Sequence, residues 1–102
     1  MAVVETFKAL GDPVRLEMVR RLASGSTYTI NGISSGLGVS RQGARKHLKV
    51  LTEAGLIVLE CKGRETQVRI DRDSLETARR FIAELEQGWD QRLEALREYA
   101  ER

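Results

Sequence analysis

The chain has 102 residues, a net charge of +2, 41% apolar and 31% charged side chains. That balance excludes an intrinsically disordered chain and a membrane bundle, and it fits one domain. No apolar run approaches the roughly eighteen residues needed to span a bilayer, and Met1-Ala2-Val3-Val4-Glu5 lacks the basic start and apolar block of a secretion signal. The single Cys61 has no second cysteine to pair with, which suits a reducing compartment, so a cytoplasmic protein is expected.

In chain order, Val3, Val4, Phe7 and Leu10 have the spacing of a short amphipathic helix. Asp12 and Pro13 then form an N-cap and first-turn pair. The spacing predicts a second helix from Pro13 to about Ala23, with Leu16, Val19, Leu22 and Ala23 on one face, ended by Ser24-Gly25-Ser26. A third helix, Ile30 to Gly36, is expected with Ile33 and Leu37 facing inward, although Gly32 and Gly36 lower its intrinsic propensity. Gly38 supplies a tight turn, and Ser40 N-caps a stronger helix running from Arg41 to about Ala54. Its buried stripe is Ala44, Leu48 and Leu51, and Gly55 terminates it.

The period then changes. Leu56–Lys62 and Glu65–Ile70 read as two strands of a hairpin whose tip is Lys62-Gly63-Arg64-Glu65. Cys61, alternating with Ile57 and Leu59, is expected to point inward as a small hydrophobe. Asp71 or Asp73 caps a last helix, with Glu76 as a reciprocal capping partner of Asp73. In that helix Leu75, Ile82, Trp89 and Leu96 recur every seven residues, and Ala78, Leu85, Leu93 and Ala100 fill the other seam. Some twenty-eight residues of helix reach about 42 Å, whereas a domain of this size is about 26 Å across. The helix outruns its domain, so its apolar stripe needs another surface, most simply the same helix of a second subunit. Val3, Val4, Phe7, Leu75, Ile82, Leu85, Trp89, Leu93 and Leu96 are the expected dimer seam. The competing arrangement folds the helix back on its own core at Gly88.

Helix, tight turn, capped helix and hairpin, in that order, make a helix-turn-helix followed by a wing. The fold class expected is α+β, mainly helical: one domain over 1–102, with the helix-turn-helix at 29–54, the wing at 56–71, and dimerisation helices at 1–10 and 73–101. With Ala44, Leu48 and Leu51 inward, Arg41, Gln42, Arg45 and Lys46 face outward near the helix N-terminus, the end that enters a DNA major groove. Arg can take guanine O6 and N7 together, and Gln adenine N6 and N7. Gly43 removes bulk beside them, and Ser40 at the helix start can meet a phosphate. Lys62 and Arg64 at the hairpin tip suit the DNA backbone or minor groove. Charge agrees with this placement. From Arg41 to Arg69 there are seven basic residues (Arg41, Arg45, Lys46, Lys49, Lys62, Arg64, Arg69) against three acidic ones (Glu53, Glu60, Glu65). From Asp71 onward acidic residues prevail, nine to six.

Three segments carry a resemblance. Phe7-Lys8-Ala9-Leu10-Gly11-Asp12-Pro13-Val14-Arg15-Leu16 resembles the "ALGDPTRL" opening of the ArsR/SmtB repressors. Val39–Leu51 resembles their "LSQxxVSxHLKVL" recognition helix, and Glu53-Ala54-Gly55-Leu56-Ile57 their "EAGLV" exit into the wing. The resemblance implies a winged-helix homodimer, paired through first and last helices, that binds a palindromic double-stranded DNA operator and usually represses. On that pattern Ser40, Arg41, Gln42, Gly43, Arg45, Lys46, His47, Lys49, Lys62 and Arg64 form the DNA-binding set, with His47 either a packing or a phosphate-contacting residue. The chain departs from the pattern in the third helix, where the usual "ELA" reads Gly32-Ile33-Ser34. The family's two common metal-sensing sites also lack ligands here, with no cysteine from Ile30 to Leu37 and no histidine after His47. No metal or cofactor is therefore expected, and the sequence names no effector. No nucleophile motif or Gly-rich phosphate loop points to an enzyme. The alternatives are a winged-helix protein-interaction module and a nucleoid-type DNA binder without sequence preference.

Overall fold

The computed structural model describes residues 3–101 with their side chains and residue 2 by its backbone. Met1 and Arg102, the outer ends of the expected domain and of its first helix, lie outside the described residues. Among the described residues, five helices and three short strands follow one another: α1 (Ala2–Leu10), α2 (Pro13–Leu22), β1 (Tyr28–Thr29), α3 (Ile30–Ser34), α4 (Arg41–Glu53), β2 (Ile57–Lys62), β3 (Glu65–Ile70) and α5 (Arg72–Glu101). Among the described residues no helix is long and apolar enough to cross a membrane.

The helix starts follow from local chemistry. Asp12 Oδ1 accepts from the Val14 and Arg15 amides at 2.8 and 3.2 Å, with Pro13 in the first turn of α2. The Thr29 hydroxyl accepts from the Gly32 amide at 3.1 Å and opens α3. Ser40 Oγ accepts from the Gly43 amide at 3.0 Å and opens α4. Asp71 precedes α5 and accepts from the Asp73 amide at 3.0 Å, so Asp71 and not Asp73 is the cap. Glu76 turns to Arg79 and Arg80 instead of back toward Asp73.

Helix α4 ends in a Schellman motif. The Leu56 amide donates to Leu51 O and the Gly55 amide to Thr52 O, both at 3.0 Å. Leu51 and Leu56, the two residues this motif brings together, are both fully buried. Gly55 has φ +75°, and a Cβ there would sit 2.9 Å from Ser74 Oγ, the atom that donates to Gly55 O at 2.6 Å. Gly55→Ala should therefore cost about 1–2 kcal/mol from the left-handed backbone alone. Thermal melts at fixed protein concentration should fall by about 4–8 °C for each kcal/mol lost; an unchanged melting temperature would refute the strain.

The core gathers Met18 and Leu22 of α2, Ile33 of α3, Leu51 of α4, Leu56 and Val68, all fully buried. Burying side chains of this size contributes about 1.5–3 kcal/mol each. Leu16, expected on the inner face of α2, is 53% exposed, and Met18 fills the core instead. The buried face of α2 is centred on Met18, Val19 and Leu22, which turns Leu16 outward. Helix α3 stops at Ser34, two residues short of the expected Gly36. Its weak C-terminus is finished from another helix: Arg21 Nη1 donates to Ile33 O at 3.2 Å and Ser35 O at 2.8 Å.

The expected hairpin is present, with Ile57 opposite Ile70 through Lys62 opposite Glu65. A third strand joins it, β1, in the antiparallel order β1-β3-β2 with Tyr28 opposite Val68. Cys61 is exposed, contrary to its expected inward packing. Its alternation with Ile57 and Leu59 holds, but Ile57 is 2% exposed and Leu59 already 40%, because the hairpin runs past the helices beneath it. Helix α1 packs on α5, where the Phe7 and Phe81 ring centroids lie 5.8 Å apart. Beyond that contact α5 is unbroken through Gly88 and continues alone. The molecule measures 69 × 25 × 25 Å, with a radius of gyration of 18.2 Å against about 13 Å for a compact chain of this length.

Candidate nucleic-acid interface

The burial of Ala44, Leu48 and Leu51 fixes how α4 is turned about its axis. Arg41, Gln42, Arg45, Lys46 and Lys49 are all exposed on the opposite side. Ser40 stands at the N-terminal end, its oxygen engaged by the cap. A Cβ at Gly43 would meet Ser40 Oγ at 3.2 Å, so the glycine keeps room for the cap as well as reducing bulk.

The structure brings two separate stretches of sequence together. Arg41 and Arg45 of α4 and Arg64 of the hairpin tip line one polar cleft of about 240 Å³, with Thr29, Ile30, Asn31, Thr66 and one carboxylate, Glu65. Asn31 and Thr66 were not foreseen. Their signal, a polar side chain at the start of α3 and another facing it from β3, acquires meaning only once β1 pairs with β3.

The cations of α4 and the wing tip share one electrostatic feature. Among the described residues, Arg41, Arg45, Lys46, Lys49, Lys62 and Arg64 have no acidic group within 4 Å. By contrast Arg20 and Arg21 pair with Glu17, Arg69 with Glu60, Arg79 and Arg80 with Glu76, and Arg97 with Glu94 and Glu101. The pairing is mutual: hydrogen bonding from Arg20 lowers the Glu17 pKa, Arg69 does the same to Glu60, and Arg79 brings Glu76 down to about 2. Lys62 still acts on Glu60 through its charge, and Glu65 lies in the cleft with Arg64, so the basic residues of α4 and the wing tip are in excess without being free of acidic neighbours.

His47 does not join that face. Its Nδ1 lies 3.2 Å from Arg15 Nη1 and 3.9 Å from Asp12 Oδ1. Arg15 also donates from Nε to Ala9 O at 2.7 Å and from Nη2 to Lys8 O at 3.5 Å. One guanidinium thus ties the end of α1 to α4. The Asp12 carboxyl is held below its usual value by the Arg15 amide first, against a partial desolvation penalty, and then by the Val14 amide and the charges of His47 and Arg15. Its capping contribution is complete above the ordinary carboxylate value of 3.8 and is lost as pH falls through the lowered one.

The expected seam residues divide in two. Val3 is 7% exposed and Leu75 packs against the core, so both are largely covered by their own chain. Val4, Phe7, Ile82, Leu85, Trp89, Leu93 and Leu96 remain between 37% and 59% exposed, and Phe81 and Tyr99 join them. Among the described residues no group of three or more His, Cys, Asp or Glu is gathered to hold a metal ion.

Residues 10–60 match a family described as a helix-turn-helix domain. Several solved structures are similar to most of the chain. An ArsR-like transcriptional regulator from Rhodococcus sp. RHA1 is 30% identical, with 97% of this chain and 92% of that one covered and a TM-score of 0.80. A possible transcriptional regulator for arsenical resistance is also 30% identical, covering 79% of this chain and 83% of that one, with a TM-score of 0.72. The homodimeric winged helix-turn-helix DNA-binding domain of a possible ArsR-family regulator from Mycobacterium bovis is 26% identical, covering 91% and 82%, with a TM-score of 0.64. No curated protein matches the chain.

Proposed function

Because the chain belongs to the ArsR-type winged helix-turn-helix transcriptional regulators, we propose that it acts as a homodimer that reads a pseudo-palindromic DNA operator and represses the promoter it occupies. The observation that carries the reading is the convergence of Arg41, Arg45 and Arg64 on one cleft, where they outnumber Glu65 and form no direct ion pair among the described residues. Helix α4 is the element for the major groove. Gln42, Arg45, Lys46 and Lys49 lie on its outer side, and the wing tip with Lys62 and Arg64 meets the adjacent backbone or minor groove. The homodimer is supported by the bare apolar stripe of α5, by Val4 and Phe7 beside it, and by the homodimeric state of the Mycobacterium bovis relative. A two-fold dimer places its half-sites about one helical turn, roughly 34 Å, apart. Repression follows the tendency of the resemblance.

Selection of bound duplexes from a random pool tests this. An enriched inverted repeat is the expected result. Retention without any favoured sequence identifies a general binder, and no retention identifies a protein-interaction module. Arg64→Ala should weaken binding about equally on the selected and scrambled duplexes and lower the slope of log affinity against log salt by about 1. Anisotropy titrations at several salt concentrations read both quantities, and a loss confined to the selected duplex would show that Arg64 reads a base.

A further inference from the structure

Beside the cationic cleft, and sharing Arg45 and Ile30 with it, lies a second groove of about 370 Å³ between α4 and β2. Its volume is within the range of small-molecule sites. Its floor and walls are apolar: Leu48 is 2% exposed, Leu59 faces it from β2, and Ile30 closes one side. The Thr52 hydroxyl donates to Leu48 O at 2.7 Å, so its polarity is satisfied within the helix. Charge along the groove is asymmetric. Arg45 and Lys49 stand along α4 without ion-pair partners among the described residues, and Glu53 stands one further turn on. A ligand anion is drawn to the Arg45 end and repelled from the Glu53 end.

We propose that this groove binds a small amphipathic organic anion. The carboxylate sits at Arg45 and Lys49, the apolar body lies against Ile30, Leu48 and Leu59, and occupancy withdraws Arg45 from DNA. The inference rests on the DNA-binding reading for its consequence but not for the site. Anion and duplex share one guanidinium, so each weakens the other by the same factor.

Octanoate is the probe, with neutral octanol at equal concentration as its control. Binding is read on the free protein, from the methyl NMR signals of Ile30, Leu48 and Leu59, so it is independent of any duplex. Octanoate should move these signals and octanol should not. Leu59→Ser, at a 40% exposed position, should keep the fold and the duplex affinity while weakening octanoate binding several-fold. Saturating octanoate should lower wild-type duplex affinity by about tenfold. Shifts confined to Leu85, Leu93 and Leu96 of α5, equal shifts with octanol, or shifts with duplex but none with octanoate would each overturn the site. Octanoate binding that leaves duplex affinity unchanged overturns the coupling, and a wild type that binds octanoate but no duplex overturns the function proposed above while the site stands.

Discussion

Trp89→Asp should convert the protein to a monomer with half the wild-type solution mass and remove most of its operator affinity. Helix α5 has 30 residues and is about 45 Å long, and only its first turns are covered by α1 and the core. Trp89 is 59% exposed, in line with Ile82, Leu85, Leu93 and Leu96 at 44–59%. A stripe of this kind on a single chain marks an interface. In a two-fold dimer each substitution is counted twice. A central aromatic anchor is worth about 2 kcal/mol or more, so the pair amounts to about 4 kcal/mol, roughly a thousandfold in dimer dissociation. The isolated chain leaves Trp89 in solvent, so circular dichroism should retain the wild-type helix signal. That separates loss of the partner from loss of the fold. Sedimentation equilibrium reads the mass, and a wild type that sediments as a monomer, or a variant that stays dimeric, would sink the seam.

The parts of this structure that the sequence revealed are those built from near neighbours. Asp12, Ser40 and Gly55 mark helix ends through contacts within a few residues, and the stripe of Ala44, Leu48 and Leu51 repeats within one helix, so the outward face carrying Arg41, Gln42, Arg45 and Lys46 could be read directly. What was missed depends on distant pairs. Strand β1 is two residues long and exists only through its pairing with β3. The weak helix α3 is completed by Arg21, 12 and 14 residues away. His47 was left between a packing and a phosphate-contacting role because nothing near it in sequence announced Arg15, 32 residues upstream. Cys61 was assigned to the correct face of β2 but the wrong burial, since alternation tells which way a side chain points and not where the neighbouring layer ends. The candidate site divides in the same way. Its cations were legible one by one, whereas the cleft they share required the position of the wing over α4.

That position makes Arg45 the residue on which specificity should turn. It is exposed in the second turn of α4 and lines both the cationic cleft and the neighbouring groove. With no acidic partner among the described residues, its removal leaves no orphaned charge in the free protein, so a change in duplex affinity reports the DNA contact itself. Arg45→Ala should cost about 1–3 kcal/mol on the selected duplex, some five- to 150-fold, and much less on a scrambled one. Arg45→Lys divides charge from geometry. The ammonium keeps the electrostatic attraction, so the salt slope should stay close to wild type, but it cannot reproduce the planar two-point fit to guanine O6 and N7. Selectivity between the two duplexes should therefore fall almost as far as in Arg45→Ala. If Arg45→Lys instead preserves selectivity, or if both variants lose affinity equally on selected and scrambled DNA, Arg45 contacts phosphate and the base reading passes to Gln42 and Lys46.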